Sequence, residues 1–239
     1  MRSIDPWQIR KDFPIFERQV HGKPLVYLDN ASTSQKPRQV IEAVDEFYFR
    51  HNSNVLRSVN TLNNEATELY LGCRNRIAKF INAEPEEVIF TRGTTEGLNI
   101  LAEVLSKKHL SHRGKVVTTI LEHHSNLLPW RRAVSSAGGR LVVLNANESW
   151  TVDTDKLTAE LSDGAEIITI VHVSNVLGTI NPIKEISRKA HECGAIVVLD
   201  SAQGVPHMPV DVKDLDVDCL VFNSHKMLWL TGFGVLYGK

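Results

Sequence analysis

The chain has 239 residues, of which 42% are hydrophobic and 23% charged, and its formal net charge is -1 at pH 7. This composition is typical of a folded globular protein with a large core. The balanced charge and the lack of a basic block argue against nucleic acid as the main partner, because phosphate backbones bind clustered lysine and arginine. No apolar run suggests a membrane span, and Met1–Pro6 lacks the apolar stretch of a secretory signal, so we expect a cytoplasmic chain with reduced thiols.

The first segment, residues 1–24, is predicted to be a short arm. Asp5 is placed as the N-cap of a helix that Pro14 limits to about two turns. Leu25–Leu28 is a strand candidate. Residues 25–239 show no internal repeat or linker, and we therefore treat them as one large domain.

The rest of the chain predicts an α/β fold with a mostly parallel sheet covered by helices. Helical spacing of apolar residues predicts helices around Val40–Tyr48 and Leu62–Ile81. The strand candidates are Glu87–Phe90, Val116–Ile120, Leu141–Leu144, Ile167–Val171, Ala195–Leu199, Cys219–Phe222 and Phe233–Lys239. Most are separated by helix-length stretches, and they are apolar on both faces, as in parallel sheets. We expect the last of them to leave a truncated sheet edge with uncovered apolar surface.

Asp200 and Lys226 each follow a predicted strand. Asp200 ends the run that begins at Ala195, and Lys226 comes shortly after Phe222. Ligands gather at the carboxyl ends of such strands. An amine and a carboxylate there match the needs of pyridoxal 5'-phosphate: the amine forms the internal imine, and the carboxylate keeps the pyridine nitrogen protonated. The pair therefore predicts this cofactor.

Thr94 and Thr95 lie where the strand ending at Phe90 leads into a helix. Their hydroxyls and backbone amides are placed to receive a phosphate at the helix N-terminus. The alternative is that one of the two threonines only caps the helix.

His123 and His124 follow the strand that ends at Ile120. One of them is placed to stack on a flat ring. Because adjacent residues of an extended chain face opposite ways, we do not expect both histidines to serve one ligand. A hydrogen-bonded structural histidine is the alternative, and the spacing does not support a metal site.

Asn175 and Gln203 also follow predicted strands. Asn175 is placed to donate a hydrogen bond to a substrate or ring oxygen, with a turn-capping role as the alternative. Gln203 lies one short turn beyond Asp200 and is placed to reach the ring hydroxyl. A solvated loop glutamine is the alternative for Gln203.

The three cysteines are interpreted as structural. Cys73 falls in an apolar stripe of a predicted helix, Cys193 at a helix end, and Cys219 at the start of a strand. They show no spacing typical of a metal site or a disulfide framework.

These motifs together resemble the class V aminotransferase family of fold-type I pyridoxal-phosphate enzymes, and among them the group II cysteine desulfurases of the SufS and CsdA kind. The matching segments are Arg10–Pro14, Tyr27–Ala31, Arg92–Glu96, Glu122–His124, Pro129–Trp130, His172–Thr179, Asp200–Gln203, Pro206–Asp211 and His225–Met227. The resemblance runs nearly end to end.

The resemblance implies a role for each matching position. Lys226 is similar to the Schiff-base lysine, and His123 to the residue stacked on the ring, which makes these two the catalytic candidates. Asp200 resembles the partner of the pyridine nitrogen and Gln203 the contact to the ring hydroxyl. The phosphate ligands that the resemblance implies are Thr94, Thr95, Asn223 and His225. Asn175 is similar to the family's residue near the substrate carboxylate.

Three departures from the family pattern argue against efficient catalysis while leaving the cofactor contacts in place. The family usually has serine at Asn223 and glycine at Ser224. Leu228–Leu230 carries bulk where the family has a tight turn. Leu56–Asn60 lacks both histidines of the family's corresponding motif.

The family reaction converts cysteine to alanine and enzyme-bound sulfur, which a sulfur-acceptor protein receives for iron-sulfur cluster assembly. Family members are homodimers and have a C-terminal small domain with the sulfur-accepting cysteine. The resemblance therefore implies that residues 25–239 form the cofactor-binding large domain, incomplete at its C-terminus, of a desulfurase that is inactive as this chain. The alternatives are another class V activity, such as selenocysteine lyase acting on selenocysteine, and a non-catalytic fragment or pseudoenzyme.

Overall fold

The computed structural model describes residues 4–56 and 60–239. Two compact units are present: residues up to Arg76 together with Ser224–Thr231, and Ile77–Asn223 together with Gly232–Lys239. Within the described ranges, no helix combines the length and the apolar character needed to cross a bilayer.

The first unit is built mainly from helices. It contains α1 (Pro6–Arg10), the short hairpin β1 (Gln19–Val20) and β2 (Lys23–Pro24), α2 (Arg38–Glu46) and most of α3 (Thr61–Ile81). A 3-10 turn follows α1 at Pro14–Glu17, and a π-helical turn extends α2 over Phe47–His51.

Two details of the first unit test the sequence predictions. The Asp5 carboxylate accepts the backbone N–H of Trp7 at 2.9 Å, which confirms it as the N-cap of α1. The strand predicted at Leu25–Leu28 is absent from the described structure, and this segment is irregular. Val26 and Leu28 are exposed, and Leu25 and Tyr27 on the other face are only half-buried, so the segment lacks the fully buried face that favours a strand.

The second unit is a seven-stranded sheet with helices. The strands are β3 (Val88–Thr91), β4 (Lys115–Thr119), β5 (Arg140–Leu144), β6 (Ala165–Val171), β7 (Ile196–Asp200), β8 (Cys219–Asn223) and β9 (Gly234–Gly238). The helices are α4 (Thr94–His109), α5 (His124–Ala137), α6 (Thr154–Ser162), α7 (Ile183–Glu192), α8 (Gly204–His207) and α9 (Val212–Leu215). The strands predicted for this unit are all present, with ends shifted by at most two residues.

The strand order is β3-β9-β8-β7-β6-β4-β5, and β5 through β8 run parallel with β4. The predicted mostly parallel α/β sheet is therefore confirmed. Only β9 breaks the pattern, since it pairs antiparallel with both β3 and β8. The prediction that the final strand leaves a truncated sheet edge is wrong, because β9 lies inside the sheet and the edges are β3 and β5.

The chain adds strands first on one side of β4 and then on the other. From β4 the chain proceeds outward to β5, then returns past β4 to build β6, β7 and β8 on the other side. Pairing of β4 with β6 ends at Val117 and Ile168, although both strands continue beyond that point. In α/β sheets, a crevice opens at the carboxyl ends of two neighbouring parallel strands when the connections that follow them lead to opposite sides of the sheet. Ligands bind in this crevice.

The core of the second unit lies between the sheet and α4 and α5. Leu98 and Trp130 are fully buried on these helices and pack in one cluster with Val116, Ile167 and Val221 of the sheet. This packing holds the amino-terminal ends of both helices at the carboxyl edge of the strands, where the polar residues predicted from the sequence lie.

Candidate active site

The amino-terminal end of α4 lies beside the carboxyl-terminal end of β8. Gly93 precedes the helix with a φ of 151°, a conformation that favours glycine. In the described structure no side chain caps this end, so the alternative that Thr94 or Thr95 is the cap is wrong. Asn223, buried at the end of β8, donates from Nδ2 to Thr94 Oγ1 at 3.1 Å. Two of the predicted phosphate ligands are thus in direct contact.

Thr95 and His123 line the same cavity, of about 420 Å³, together with His124 and Arg132. The expectation that His123 and His124 do not both serve one ligand stays a prediction, although both line this cavity. His123 is the N-cap of α5 and His124 is its first residue, and their ring centroids are 6.4 Å apart. Ser125 donates its backbone N–H to His123 Nδ1 at 3.1 Å, which leaves Nε2 to carry the proton of a neutral ring.

Asp200 and Gln203 are buried at the carboxyl end of β7. Asp200 is 2% exposed, and its Oδ1 accepts the backbone N–H of Ala202 at 3.0 Å. Its partners in the sheet are Val171 of β6 and Val221 of β8. The carboxylate therefore lies at the middle of the edge formed by the carboxyl ends of the parallel strands, which we call the strand-end edge. Gln203 is 4% exposed, which rules out the alternative of a solvated loop glutamine.

Glu122 lies at the same edge, between β4 and α5, and no role was predicted for it beyond its place in a matching segment. Its Oε1 accepts the hydroxyl of Thr119 at 2.7 Å and the backbone N–H of Val171 at 3.0 Å, and its Oε2 lies 2.6 Å from the side-chain amide of Asn126. Burial raises the pKa of Glu122 to about 8, against the effect of these hydrogen bonds, and the negative charge of Asp200 adds to the rise.

Asn175 lies half-buried in the turn after β6. The hydroxyl that caps this turn belongs to Ser174, whose Oγ accepts the backbone N–H groups of Val176 at 3.3 Å and Leu177 at 3.2 Å. Nearby in the chain, His172 is buried, and burial lowers its pKa to about 4, so its ring is neutral at pH 7.

Lys226 and His225 belong to the first unit, in the loop that continues from β8. The backbone carbonyl of His225 accepts hydrogen bonds from the Thr33 hydroxyl at 3.0 Å, from both the backbone N–H and the hydroxyl of Ser34 at 2.9 and 3.0 Å, and from Lys36 Nζ at 3.1 Å. Burial, followed by the charges of Lys226 and Lys36, lowers the pKa of His225. The loop is therefore anchored immediately next to Lys226, in a cationic environment.

Thr33, Ser34 and Lys36 were not predicted as site residues. They contact a carbonyl that lies 189 to 192 positions away along the chain. A pairing of segments so distant leaves no signal in local spacing.

Residues 26–239 match the Aminotransferase class-V family. The chain belongs to this family. It is 48% identical over 233 residues to a probable cysteine desulfurase of Halalkalibacterium halodurans, a match that covers 97% of the chain and 57% of that protein. It is 44% identical to a cysteine desulfurase of Cronobacter sakazakii, covering 99% of the chain and 59% of that protein.

Solved structures give the same picture. The apo cysteine desulfurase of Thermococcus onnurineus superposes with a TM-score of 0.92 at 38% identity, covering 100% of the chain and 58% of that structure. The cysteine desulfurase CsdA of Escherichia coli has a TM-score of 0.87 at 34% identity, covering 100% of the chain and 59% of that structure. The predicted resemblance to cysteine desulfurases and the predicted large-domain fold are confirmed. The chain spans 57 to 59% of the length of these four relatives.

The structure shows how this class V chain accommodates its departures from the family pattern. The longer Asn223 amide is used for the contact to Thr94. Ser224 Oγ donates to the backbone carbonyl of Leu230 at 2.6 Å, which closes the loop, and Leu228 adopts a φ of 65°. The bulk of Trp229 points partly to solvent, since 36% of the residue is exposed.

The departure at residues 56–60 is described only in part, because residues 57–59 lie outside the described residues. Asn60 serves as a helix cap, since its Oδ1 accepts the backbone N–H of Asn63 in α3 at 2.9 Å. Leu56 is exposed.

The cysteines differ from the prediction in their burial. Only Cys219 is buried, and burial raises its pKa to about 12. Cys193 is exposed after α7. Cys73 is exposed rather than part of an apolar stripe, and it lines a cavity of about 340 Å³ in the first unit with His51 and Glu65. In the described ranges no cluster of histidine, cysteine and carboxylate side chains is suited to a metal ion.

Proposed function

We propose that this chain is the pyridoxal-phosphate-binding part of a cysteine desulfurase. In the complete reaction cysteine is converted to alanine, and the sulfur passes through the enzyme to an acceptor protein for iron-sulfur cluster assembly. We further propose that the protein acts in the cytoplasm and, at full length, as a homodimer. Residues 25–239 form the cofactor-binding large domain in this proposal.

The observation that carries the proposal is the set of side chains at the strand-end edge of the second unit. The N-terminus of α4 is open to a phosphate: a Cβ added at Gly93 would meet no atom within 4 Å, and Thr94 and Thr95 begin the helix. The buried carboxylate of Asp200 lies at the middle of the same edge. An anion site and a buried carboxylate on one edge match the two ends of pyridoxal phosphate.

Each residue of the chain has a separate task in this proposal. Pyridoxal phosphate, when bound, supplies a protonated ring that withdraws electrons from the substrate. Asp200 holds the ring-nitrogen proton through a charge-assisted hydrogen bond. Thr94, Thr95, Asn223 and His225 bind the phosphate, Gln203 binds the ring hydroxyl, and His123 stacks on the ring. Asn175 orients the substrate carboxylate.

Lys226 is the proposed point of covalent attachment. It follows the end of β8 by three residues, and the carbonyl of the preceding residue, His225, is held by Thr33, Ser34 and Lys36.

The test is chemical trapping. The purified chain is mixed with pyridoxal phosphate and reduced with borohydride, and the modified peptide is mapped by mass spectrometry. We expect the pyridoxyl group on Lys226 and its loss in Lys226→Arg. Lys213, an exposed lysine paired with Glu84, provides the matched control Lys213→Arg, which should label like the unaltered chain. A label confined to another lysine, or no label on well-folded protein, would overturn the assignment.

A further inference from the structure

The cavity of about 420 Å³ that contains Thr95 lies between α4 and α5, near the start of both helices. α4 contributes Thr95 and Asn99, which are four positions apart and therefore share one face of the helix. The start and the following turns of α5 supply the other lining residues: His123, His124, Ser125, Leu128, Pro129 and Arg132. The amino-terminal part of each helix thus forms one side of the cavity.

The electrostatics of this cavity favour an anion. The amino-terminal end of a helix bears a partial positive charge, and the first turns of both α4 and α5 line the cavity. Arg132 adds a full positive charge. None of the described lining residues is acidic.

Arg132 reaches from α5 toward the start of α4 through one hydrogen bond. Its Nη2 donates to Asn99 Oδ1 at 3.3 Å, and Asn99 Nδ2 donates to the backbone carbonyl of Thr95 at 2.8 Å. Among the residues that the structure describes, no carboxylate forms an ion pair with Arg132. Its charge is therefore available to a ligand in the cavity.

The two carboxylates of α4 are paired with other cations. Glu96 lies 2.6 Å from Arg92 Nη2, and Glu103 lies 2.8 Å from Lys107 Nζ. The hydrogen bond and charge of Lys107 lower the pKa of Glu103, with a smaller contribution from the charge of Arg132. Lys107 is thus the main partner of Glu103, and the pairing leaves the guanidinium of Arg132 free to meet an anion.

We propose that Arg132 is a further phosphate-binding residue of the cofactor site, which favours pyridoxal phosphate over pyridoxal without its phosphate. Thr95 and His123, two residues of the proposed cofactor site, line the same cavity as Arg132. A guanidinium group combines a positive charge with a fork of N–H donors that matches the oxygens of a phosphate. This inference rests on the proposed function, because it concerns the cofactor named there.

The test compares three variants of α5. Arg132→Gln removes the charge, and Arg132→Lys keeps it. Arg131→Gln is the matched control, because Arg131 is the adjacent exposed arginine and is not among the described lining residues. Fluorescence titration measures the Kd of each variant for pyridoxal phosphate and for pyridoxal. Circular dichroism checks the fold, which we expect to persist because Arg132 is exposed.

We expect Arg132→Gln to weaken pyridoxal phosphate binding by about 10-fold and to change pyridoxal binding by less than about 2-fold. Arg132→Lys should recover most of this loss, and Arg131→Gln should bind like the unaltered chain. The effect of Arg132→Gln should shrink as salt is added, because salt screens the attraction. Equal losses in the two glutamine variants would overturn the proposal. Equal losses for the two ligands in Arg132→Gln, or no recovery in Arg132→Lys, would also overturn it.

Inorganic phosphate is a second probe, which needs no cofactor. Its binding to the cofactor-free chain is followed by the width of the phosphorus NMR signal. We expect Arg132→Gln to weaken this binding and Arg131→Gln to preserve it, and equal binding by the two variants would overturn the role of Arg132. Borohydride trapping on Lys226 tests the proposed function separately. Phosphate binding that depends on Arg132 without trapping would refute the proposed function alone, whereas trapping with two equal glutamine variants would refute this inference alone.

Discussion

Single side chains at the strand-end edge differ in the strength of the interactions that they offer. Asp200 and Gln203 are both buried, but only Asp200 carries a charge there. Hydrogen bonds to charged groups contribute about 1.5–3 kcal/mol, against about 1 kcal/mol for neutral pairs. This difference ranks the two residues in cofactor binding.

We expect Asp200→Ala to weaken pyridoxal phosphate binding more than Gln203→Ala. The losses correspond to roughly 10- to 150-fold in Kd for Asp200→Ala and about 5-fold for Gln203→Ala. Fluorescence titration with the cofactor measures both, and circular dichroism checks that each variant is folded. Equal losses would contradict the ranking.

The site residues differ in whether the local sequence could predict them. Asp200, Thr94 and Thr95 were predicted because they lie at or a few residues beyond the end of an apolar strand run. The contacts of Glu122 were not predicted, since its hydrogen bond with Val171 joins residues 49 positions apart. The helix that begins at His124 was not assigned from the sequence, so His123 and His124 were treated as neighbours on an extended chain.

Packing between α4 and β8 positions the N-terminus of that helix. An added Cβ at Gly97 would lie 2.9 Å from Val221 Cγ1 and 3.8 Å from Leu236 Cβ. Glycine therefore permits α4 to approach the sheet closely. That approach places Thr94 within hydrogen-bonding distance of Asn223.

We expect Gly97→Ala to destabilise the chain by about 1–3 kcal/mol, because the added methyl group overpacks the contact with Val221. Gly72→Ala in α3 is the matched control. Its Cβ would meet no atom within 4 Å, and the higher helix propensity of alanine should stabilise it by up to about 1 kcal/mol. Urea denaturation measures both changes. Stabilisation in both variants would show that the contact is not tight.

The carboxyl-terminal end of α7 is tied to the sheet by His191. Its Nδ1 lies 3.0 Å from Asp216 Oδ2, and its Nε2 lies 2.9 Å from Asp218 Oδ2. Asp218 also accepts the backbone N–H of Val197 in β7 at 2.8 Å. Burial lowers the pKa of His191, but the hydrogen bonds and charges of Asp218 and then Asp216 outweigh it, so the pKa is raised.

We expect His191→Gln to lose about 1 kcal/mol of stability at pH 6 and less at pH 9. The contribution of a raised pKa is complete below the unfolded value and is lost as the pH rises through the folded value. Arg188→Gln, which removes an exposed pair with Glu192 on the same helix, should change stability by less than 0.5 kcal/mol, a rough limit, at either pH. A loss in His191→Gln that does not vary with pH would contradict the assignment.

At the scale of the whole molecule, the cysteines of the second unit lie away from its strand-end residues. Cys219 begins β8 and Cys193 precedes β7, whereas Asn223 and Asp200 end these strands. A five-residue strand separates its ends by about 13 Å. Attack on a substrate sulfur requires a separation near 3.5 Å, so these two thiols do not reach a substrate at the strand ends.

We therefore expect this chain alone to produce no alanine from cysteine, even with added pyridoxal phosphate. Alanine formation is followed over time for the unaltered chain and for variants in which Cys73, Cys193 or Cys219 is replaced by serine. An active full-length desulfurase serves as the positive control. Turnover that one of these substitutions abolishes would identify a sulfur-accepting thiol in the chain.

The position of β9 has a consequence for how the chain folds. β3 bonds to the sheet only through β9, and the pairs Val88 with Tyr237 and Thr91 with Gly234 join residues more than 140 positions apart. Contacts of such sequence separation are slow to form, because a long loop must close first. On the ribosome, β4 to β8 have parallel neighbours within the sheet before β9 exists. β3 must therefore wait for residues 234–238, so the first strand of this sheet along the chain is among the last to join it.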